Sequence, residues 1–152
     1  MIRGAAALPT LLALGCVVWI REPAAYREEL IELVDTREQP VHACYESLLE
    51  RRQAQIEAEE REAQGPYADI GPAVSSRLGA LRGDVVVDFT VKPDSGAIVT
   101  ALVPAKTTAP DDVVQCVLGS IQGMTLEPPD KREGRVALTF ALETGKHRSP
   151  AQ

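Results

Sequence analysis

Residues 84–92 read Asp-Val-Val-Val-Asp-Phe-Thr-Val-Lys, and this stretch decides the fold of the chain. Its apolar side chains recur at every second position, at 85, 87, 89 and 91. Such alternation is typical of an antiparallel strand with one buried face and one face open to solvent. The turn residues Pro-Asp-Ser-Gly follow at 93–96, and residues 97–105 are apolar enough for a second strand. The pattern therefore predicts a β-hairpin.

The segments around this hairpin predict three helices and a third strand. Residues 23–34, a second segment ending at 64, and residues 113–124 carry apolar side chains at helical spacing. Residues 135–142 alternate again and predict the last strand. Two Gly-Pro pairs predict a loop with one short helical turn at 65–82. The predicted fold is α+β, with helices packed on one face of a small three-stranded antiparallel sheet.

A hydrophobic leader helix is predicted ahead of this domain. Arg3 precedes an uncharged, largely apolar stretch, Gly4 to Ile20, and Arg21 closes it; this is the pattern of a bacterial export signal. Cys16 follows Leu-Ala-Leu-Gly, which resembles a lipobox, so Cys16 is the expected lipidation site. An uncleaved membrane anchor and a buried core helix are the alternatives. Lipoprotein and anchor both place the remaining chain in the periplasm.

Composition and charge narrow the classes of function. The 152-residue chain has a net charge of −6 and no cluster of Lys and Arg, which argues against nucleic-acid binding. A nucleophile pair of His42 and Cys44 is disfavoured, because residues two apart on a helix do not share a face. His147 lies in the polar tail, and Asp84 and Asp88 are expected to face solvent. We therefore expect no catalytic residue, no cofactor and no metal site.

Two cysteine motifs carry a resemblance to a known family. Cys44-Tyr-Glu opens the second predicted helix, and Cys116-Val lies on the helix after the hairpin, with Pro128-Pro129 before the last strand. Over about residues 41–142 the chain resembles the C-terminal domain of the AgmX/PglI family of deltaproteobacterial envelope proteins, which is similar in fold to the TonB and TolA C-terminal domains. The resemblance implies a disulfide between Cys44 and Cys116, which export to an oxidising compartment would permit. Two buried free thiols are the alternative.

The predicted organisation has four parts. Residues 1–20 are the export signal, 21–40 a helical linker, 41–143 the α+β domain with an insertion at about 51–80, and 144–152 a disordered tail. The leader predicts an envelope lipoprotein held to the membrane by its N-terminus, and the resemblance implies a non-enzymatic domain that binds another envelope protein by strand addition at a sheet edge. The alternatives are a TonB-like energy transducer and an enzyme with its site in the 65–82 loop. A linker of 20 residues spans about 30 Å as a helix, which is short for an energy transducer.

Overall fold

The computed structural model describes residues 20–67, 69–143 and 146–148. It contains four α-helices, namely α1 (Pro23–Asp35), α2 (Glu38–Gln64), α3 (Gly71–Gly79) and α4 (Asp111–Ser120), and a short 3-10 turn at Pro104–Lys106. The strands are β1 (Gly83–Val91), β2 (Ile98–Leu102), β3 (Gly134–Glu143) and the short β4 (Lys146–Arg148). They form one antiparallel sheet in the order β2-β1-β3-β4. The predicted α+β class and the antiparallel sheet of three main strands are confirmed.

β1 is the centre of the sheet, as its sequence pattern predicts. Val85, Val87 and Phe89 are completely buried. Val87 pairs with Leu102 of β2 on one side and with Leu138 of β3 on the other. Burial of side chains of this size stabilises a fold by about 1.5–3 kcal/mol each. The alternating residues of β1 thus form the floor on which the helices pack.

Helix α1 is part of the domain, which corrects the predicted linker at 21–40. Tyr26, Leu30 and Val34 are buried at i, i+4 and i+8, and α1 packs against β3. A side chain at Gly134 would clash with the Tyr26 ring, so the absence of a Cβ there allows the close approach. The spacing of apolar residues predicted this helix correctly. Its apolar face packs on the sheet, however, and the helix does not act as a linker between the leader and the domain.

The predicted loop at 65–82 contains a helix. Gly71 and Pro72 form the first turn of α3, where a proline loses no intrahelical hydrogen bond. A pair that favours a loop in the sequence therefore begins a helix in the structure. The second half of α2 and α3 together form a helical hairpin, which covers the segment at about 51–80.

This helical hairpin has its own small apolar contact. Ile56 and Val74 are buried but stand apart from the main core cluster, and α2 packs against α3. Arg77 of α3 donates hydrogen bonds to Glu59 and Glu60 of α2, at 2.6 and 3.5 Å. The hydrogen bond from Arg77 lowers the pKa of the Glu59 carboxyl. Most other side chains of this half of α2 are polar and exposed, as predicted for a solvated extension.

The C-terminal end of the described chain extends the sheet. Residues 146–148 form β4 and pair with Ala141, Leu142 and Glu143 of β3. The predicted tail at 144–152 therefore includes a strand, and its other residues lie outside the described ranges. The predicted leader at 1–20, including Cys16, also lies outside them apart from Ile20. Within residues 20–67, 69–143 and 146–148, no helix has the length and apolarity to span a membrane.

Candidate functional site

The structure brings together the two cysteines that the family resemblance pairs. Cys44 on α2 and Cys116 on α4 have their sulfur atoms at bonding distance, with the Cα atoms 5.7 Å apart. Disulfides span Cα separations of 4.4–6.8 Å, roughly. Cys116 is buried and Cys44 half-buried, at the contact between α2 and α4. The pair therefore fixes the long helix to the helix that follows the hairpin.

Neighbouring polar residues do not converge with the cysteines into a reactive group. The Nδ1 atom of His42 lies 3.1 Å from Oε2 of Glu46 on the next turn of α2, whereas Cys44 meets Cys116. His147 lies in β4, opposite Leu142. Asp84 and Asp88 are exposed on the sheet face away from the core. In the ranges that the structure describes, no three His, Cys, Asp or Glu side chains are grouped to hold a metal ion.

The outer edge of β2 presents backbone groups to solvent. Lys92 N–H donates to Ala97 O at 2.8 Å, and Val103 N–H donates to Val86 O at 2.9 Å. Hydrogen-bonded pairs alternate along an antiparallel ladder, so the backbone groups of Val99 and Ala101 also bond to β1. The backbone N–H and C=O groups of Thr100 and Leu102 are directed away from β1, toward the outer edge. Among the described residues, no backbone group bonds to the outward N–H and C=O of these two.

The start of the same edge is already covered. Ile98 N–H donates to Met124 O at 3.2 Å, and Leu126 N–H donates to Gly96 O at 2.8 Å. Ala97 forms an isolated bridge with Thr125. The segment after α4 thus runs beside the first residue of β2, and the open edge is confined to residues 99–102.

The sequence of this edge lacks the usual devices that discourage strand pairing. Native edge strands are blunted by charged side chains, prolines or bulges. β2 reads Ile-Val-Thr-Ala-Leu, without charge or proline. Val99 is 50 % exposed, and Ala101 is exposed beside it on the open sheet face. Backbone donors, backbone acceptors and a small apolar surface are therefore available at one place.

A second polar arrangement joins the N-terminal end of the described chain to the loop before β3. The backbone N–H of Arg21 donates to Oδ2 of Asp130 at 2.6 Å. Its side chain donates to Glu29 and to the carbonyl oxygen of Pro128, each at 2.6 Å. Arg21 and Asp130 are 6 % and 1 % exposed, which is rare for charged residues unless they are paired. We call Arg21, Glu29 and Asp130 the exit clamp.

The electrostatics of the exit clamp follow from these hydrogen bonds. Burial alone would raise the pKa of the Asp130 carboxyl, but N–H groups from Arg21 and Arg132 outweigh it and hold this pKa at about 2. Burial, with Asp130 nearby, raises the pKa of Tyr26 to about 12. At neutral pH Asp130 is therefore an ionised carboxylate, and the phenol of the neighbouring Tyr26 is neutral. The sequence gives little indication of the exit clamp, because Arg21 is recognisable there only as the charged residue that ends the apolar leader.

Comparison with known proteins finds no matching family model, no similar curated protein and no similar solved structure.

Proposed function

We propose that this chain is a non-enzymatic protein-interaction module of the bacterial cell envelope, which takes up an extended segment of another envelope protein along β2. The role follows from the resemblance to the AgmX/PglI C-terminal domain and from the export signal. In this proposal the N-terminus holds the chain at the membrane, through a lipid on Cys16 or an uncleaved helix, and the domain lies in the periplasm.

The open edge at residues 99–102 is the observation that carries the proposal. An extended peptide adding there would bond to the outward backbone groups of Thr100 and Leu102. In strand addition, backbone hydrogen bonds supply affinity and alternate side chains supply specificity. Exposed Val99 and Ala101 would meet every second side chain of the partner, so small apolar residues at that spacing are the expected match.

The two alternative functions receive less support. A TonB-like energy transducer requires a long free segment between membrane and domain, whereas Arg21 already hydrogen-bonds to Asp130 directly after the apolar stretch. An enzyme with its site in a 65–82 loop would need residues free to line a pocket. That segment contains α3 instead, which packs on α2.

Site-specific crosslinking in native envelopes tests the proposal. A photo-crosslinking amino acid would replace Val99 on the open edge or, as the control, Ala58 on the exposed face of α2. We expect a defined crosslinked protein from position 99 and none from position 58. The Thr100→Pro variant removes one outward N–H without removing a β1 bond, because proline is tolerated on an edge strand, and should abolish the crosslink.

A second variant separates loss of binding from loss of fold. Val99→Lys adds the kind of charge that natural edge strands carry, at a position that is already half exposed. For this variant the photo-crosslinking amino acid is placed at position 101 instead of 99. Val99→Lys should then weaken the crosslink to the partner while the circular dichroism spectrum stays unchanged. The same crosslinked species from positions 99 and 58, or a crosslink insensitive to Thr100→Pro, would contradict strand addition at β2.

A further inference from the structure

The exit clamp points to a membrane-facing surface on the domain. Ile20 is the last residue of the apolar stretch and is 51 % exposed. Arg21, the next residue, is fixed to Asp130 through its backbone and to Pro128 through its guanidinium. The fold therefore fixes the backbone at Arg21, the residue that directly follows the apolar stretch in the sequence.

The length of chain before the clamp limits how far the domain can move from the bilayer. If Cys16 carries the lipid, only Val17 to Ile20 separate it from Arg21, which is about 14 Å when fully extended. If the stretch is an uncleaved anchor, its apolar residues continue to Ile20 itself. Under both readings the surface around Arg21 lies within a few residues of the lipid headgroups.

We propose that this surface, formed by Ile20, the turn at 93–96 and the loop at 127–133 and called here the exit face, rests against the headgroups of the membrane that carries the anchor. The inference rests on the membrane anchoring in the proposed function. It adds an orientation: the end of the sheet where β1 finishes and β3 begins faces the lipid, and the opposite end of the sheet faces away.

The charges of the exit face suit contact that does not depend on lipid charge. Lys131 pairs with Asp94, and Lys92 lies 3.8 Å from Glu133. Glu133 also meets Arg135 at 2.8 Å. The turn, the loop and the bordering Lys92 and Arg135 together carry four acidic and four basic side chains, so the face offers no excess of positive charge to anionic headgroups. The short tether, and not electrostatic attraction, is what holds the face at the membrane.

The proposal is tested on the full chain with its anchor, reconstituted into phosphatidylcholine vesicles that carry a nitroxide quencher on the headgroup. A fluorescent amino acid would replace Lys131 on the exit face or Lys106 as the matched control. Lys106 lies beside the first residues of β1, through the Thr107 contact with Val86, about 20 Å from the exit face along the strand. We expect loss of most of the fluorescence at position 131 and little loss at position 106.

Three further results decide between the proposals. A flexible Gly-Ser linker of about 12 residues between Ile20 and Arg21, with a mean span of about 20 Å, should restore fluorescence at position 131 while the protein still floats with the vesicles. Flotation with equal quenching at both positions would overturn the exit face and leave the anchoring intact. Failure to float would overturn the anchoring and the exit face together.

The role of lipid charge is tested in the same assay. Adding phosphatidylserine should not increase the quenching at position 131, because the exit face has no excess of positive charge and the probe at that position removes one further cation. Quenching that appears only with phosphatidylserine, or that survives the inserted linker, would show that the face binds lipid by itself and would overturn the tether as its cause.

Discussion

The backbone N–H of Arg21 lies 2.6 Å from Oδ2 of Asp130, a residue 109 positions further along the chain. Asp130 also accepts a hydrogen bond at 3.0 Å from the N–H of Arg132, and its own carbonyl oxygen accepts one at 2.7 Å from the N–H of Asp94. One buried residue thus joins the start of α1, the turn between β1 and β2, and the loop before β3. We expect loss of the Asp130 charge to lower the stability of the whole domain.

Acid should therefore destabilise the protein through Asp130. Its pKa is about 2 in the folded state, against an ordinary value of 3.8. A depressed carboxyl pKa contributes stability that is fully present above the unfolded pKa and is lost as the pH falls toward the folded one. We expect the denaturation midpoint of the wild type to fall between about pH 4 and pH 2, measured by urea unfolding followed by circular dichroism.

The Asp130→Asn variant isolates this contribution. It should be less stable than the wild type at neutral pH and should lose less stability between pH 4 and pH 2, since the titrating group is gone. Asp88→Asn, at an exposed carboxyl on the open sheet face, is the matched control and should keep the wild-type pH profile. Parallel profiles for the wild type and Asp130→Asn would contradict the assignment.

The sheet could be predicted from sequence because its information is local. Alternating apolar residues in β1 and β3, and the turn residues between β1 and β2, each identify their element without help from the rest of the chain. The length of α3 was underestimated as one short turn for a local reason as well, since Gly71 and Pro72 fit a loop and a first helical turn equally well. The sequence therefore indicated the elements better than their roles.

The roles of α1 and the exit clamp could not be predicted, because they depend on contacts far apart in the chain. Tyr26 packs on Gly134, and Arg21 meets Asp130. The period of α1 shows that one face is buried but carries no information about what covers it. The cysteine pair was found only because a family motif suggested which two residues meet, and the open edge of β2 depends on the order of strands in the sheet.

Close backbone contact at Gly96 gives a second prediction. Gly96 and Gly123 both have positive φ, at 65° and 71°. Alanine in that region costs about 1–2 kcal/mol at either position. At Gly96 the new methyl group would also clash with the carbonyl oxygen of Leu126, whereas nothing lies within 4 Å at Gly123. Gly96→Ala should therefore lower the free energy of unfolding clearly more than Gly123→Ala does; equal losses in urea titrations would argue against the contact.

The cysteine pair gives a third prediction. Peptide mapping under non-reducing conditions should yield Cys44 and Cys116 in one linked peptide. A crosslink between residues 72 positions apart stabilises a protein by about 4 kcal/mol in the chain-entropy model. The double variant with serine at both positions, and the wild type treated with reductant, should unfold at similarly reduced temperatures. Alkylation of both thiols in unreduced protein from envelopes would contradict the pairing.

The helical hairpin of α2 and α3 gives the last prediction, which separates local from global stability. Ile56 is completely buried but lies outside the main core cluster, whereas Ile121 is 1 % exposed within it. Replacement of a buried isoleucine by alanine costs about 2–5 kcal/mol. The variants Ile56→Ala and Ile121→Ala therefore make the same chemical change at two different places, the helical hairpin and the main core.

Amide hydrogen exchange distinguishes the two effects, because local opening exposes only the amides of the segment that opens. Ile56→Ala should speed exchange in the second half of α2 and in α3, while the slowest amides of β1 keep their wild-type rates. Ile121→Ala should lower the free energy of global unfolding and speed exchange in β1 as well. If Ile56→Ala accelerates β1 as much as Ile121→Ala does, the hairpin is not an independent unit, and its apolar contact stabilises the whole domain.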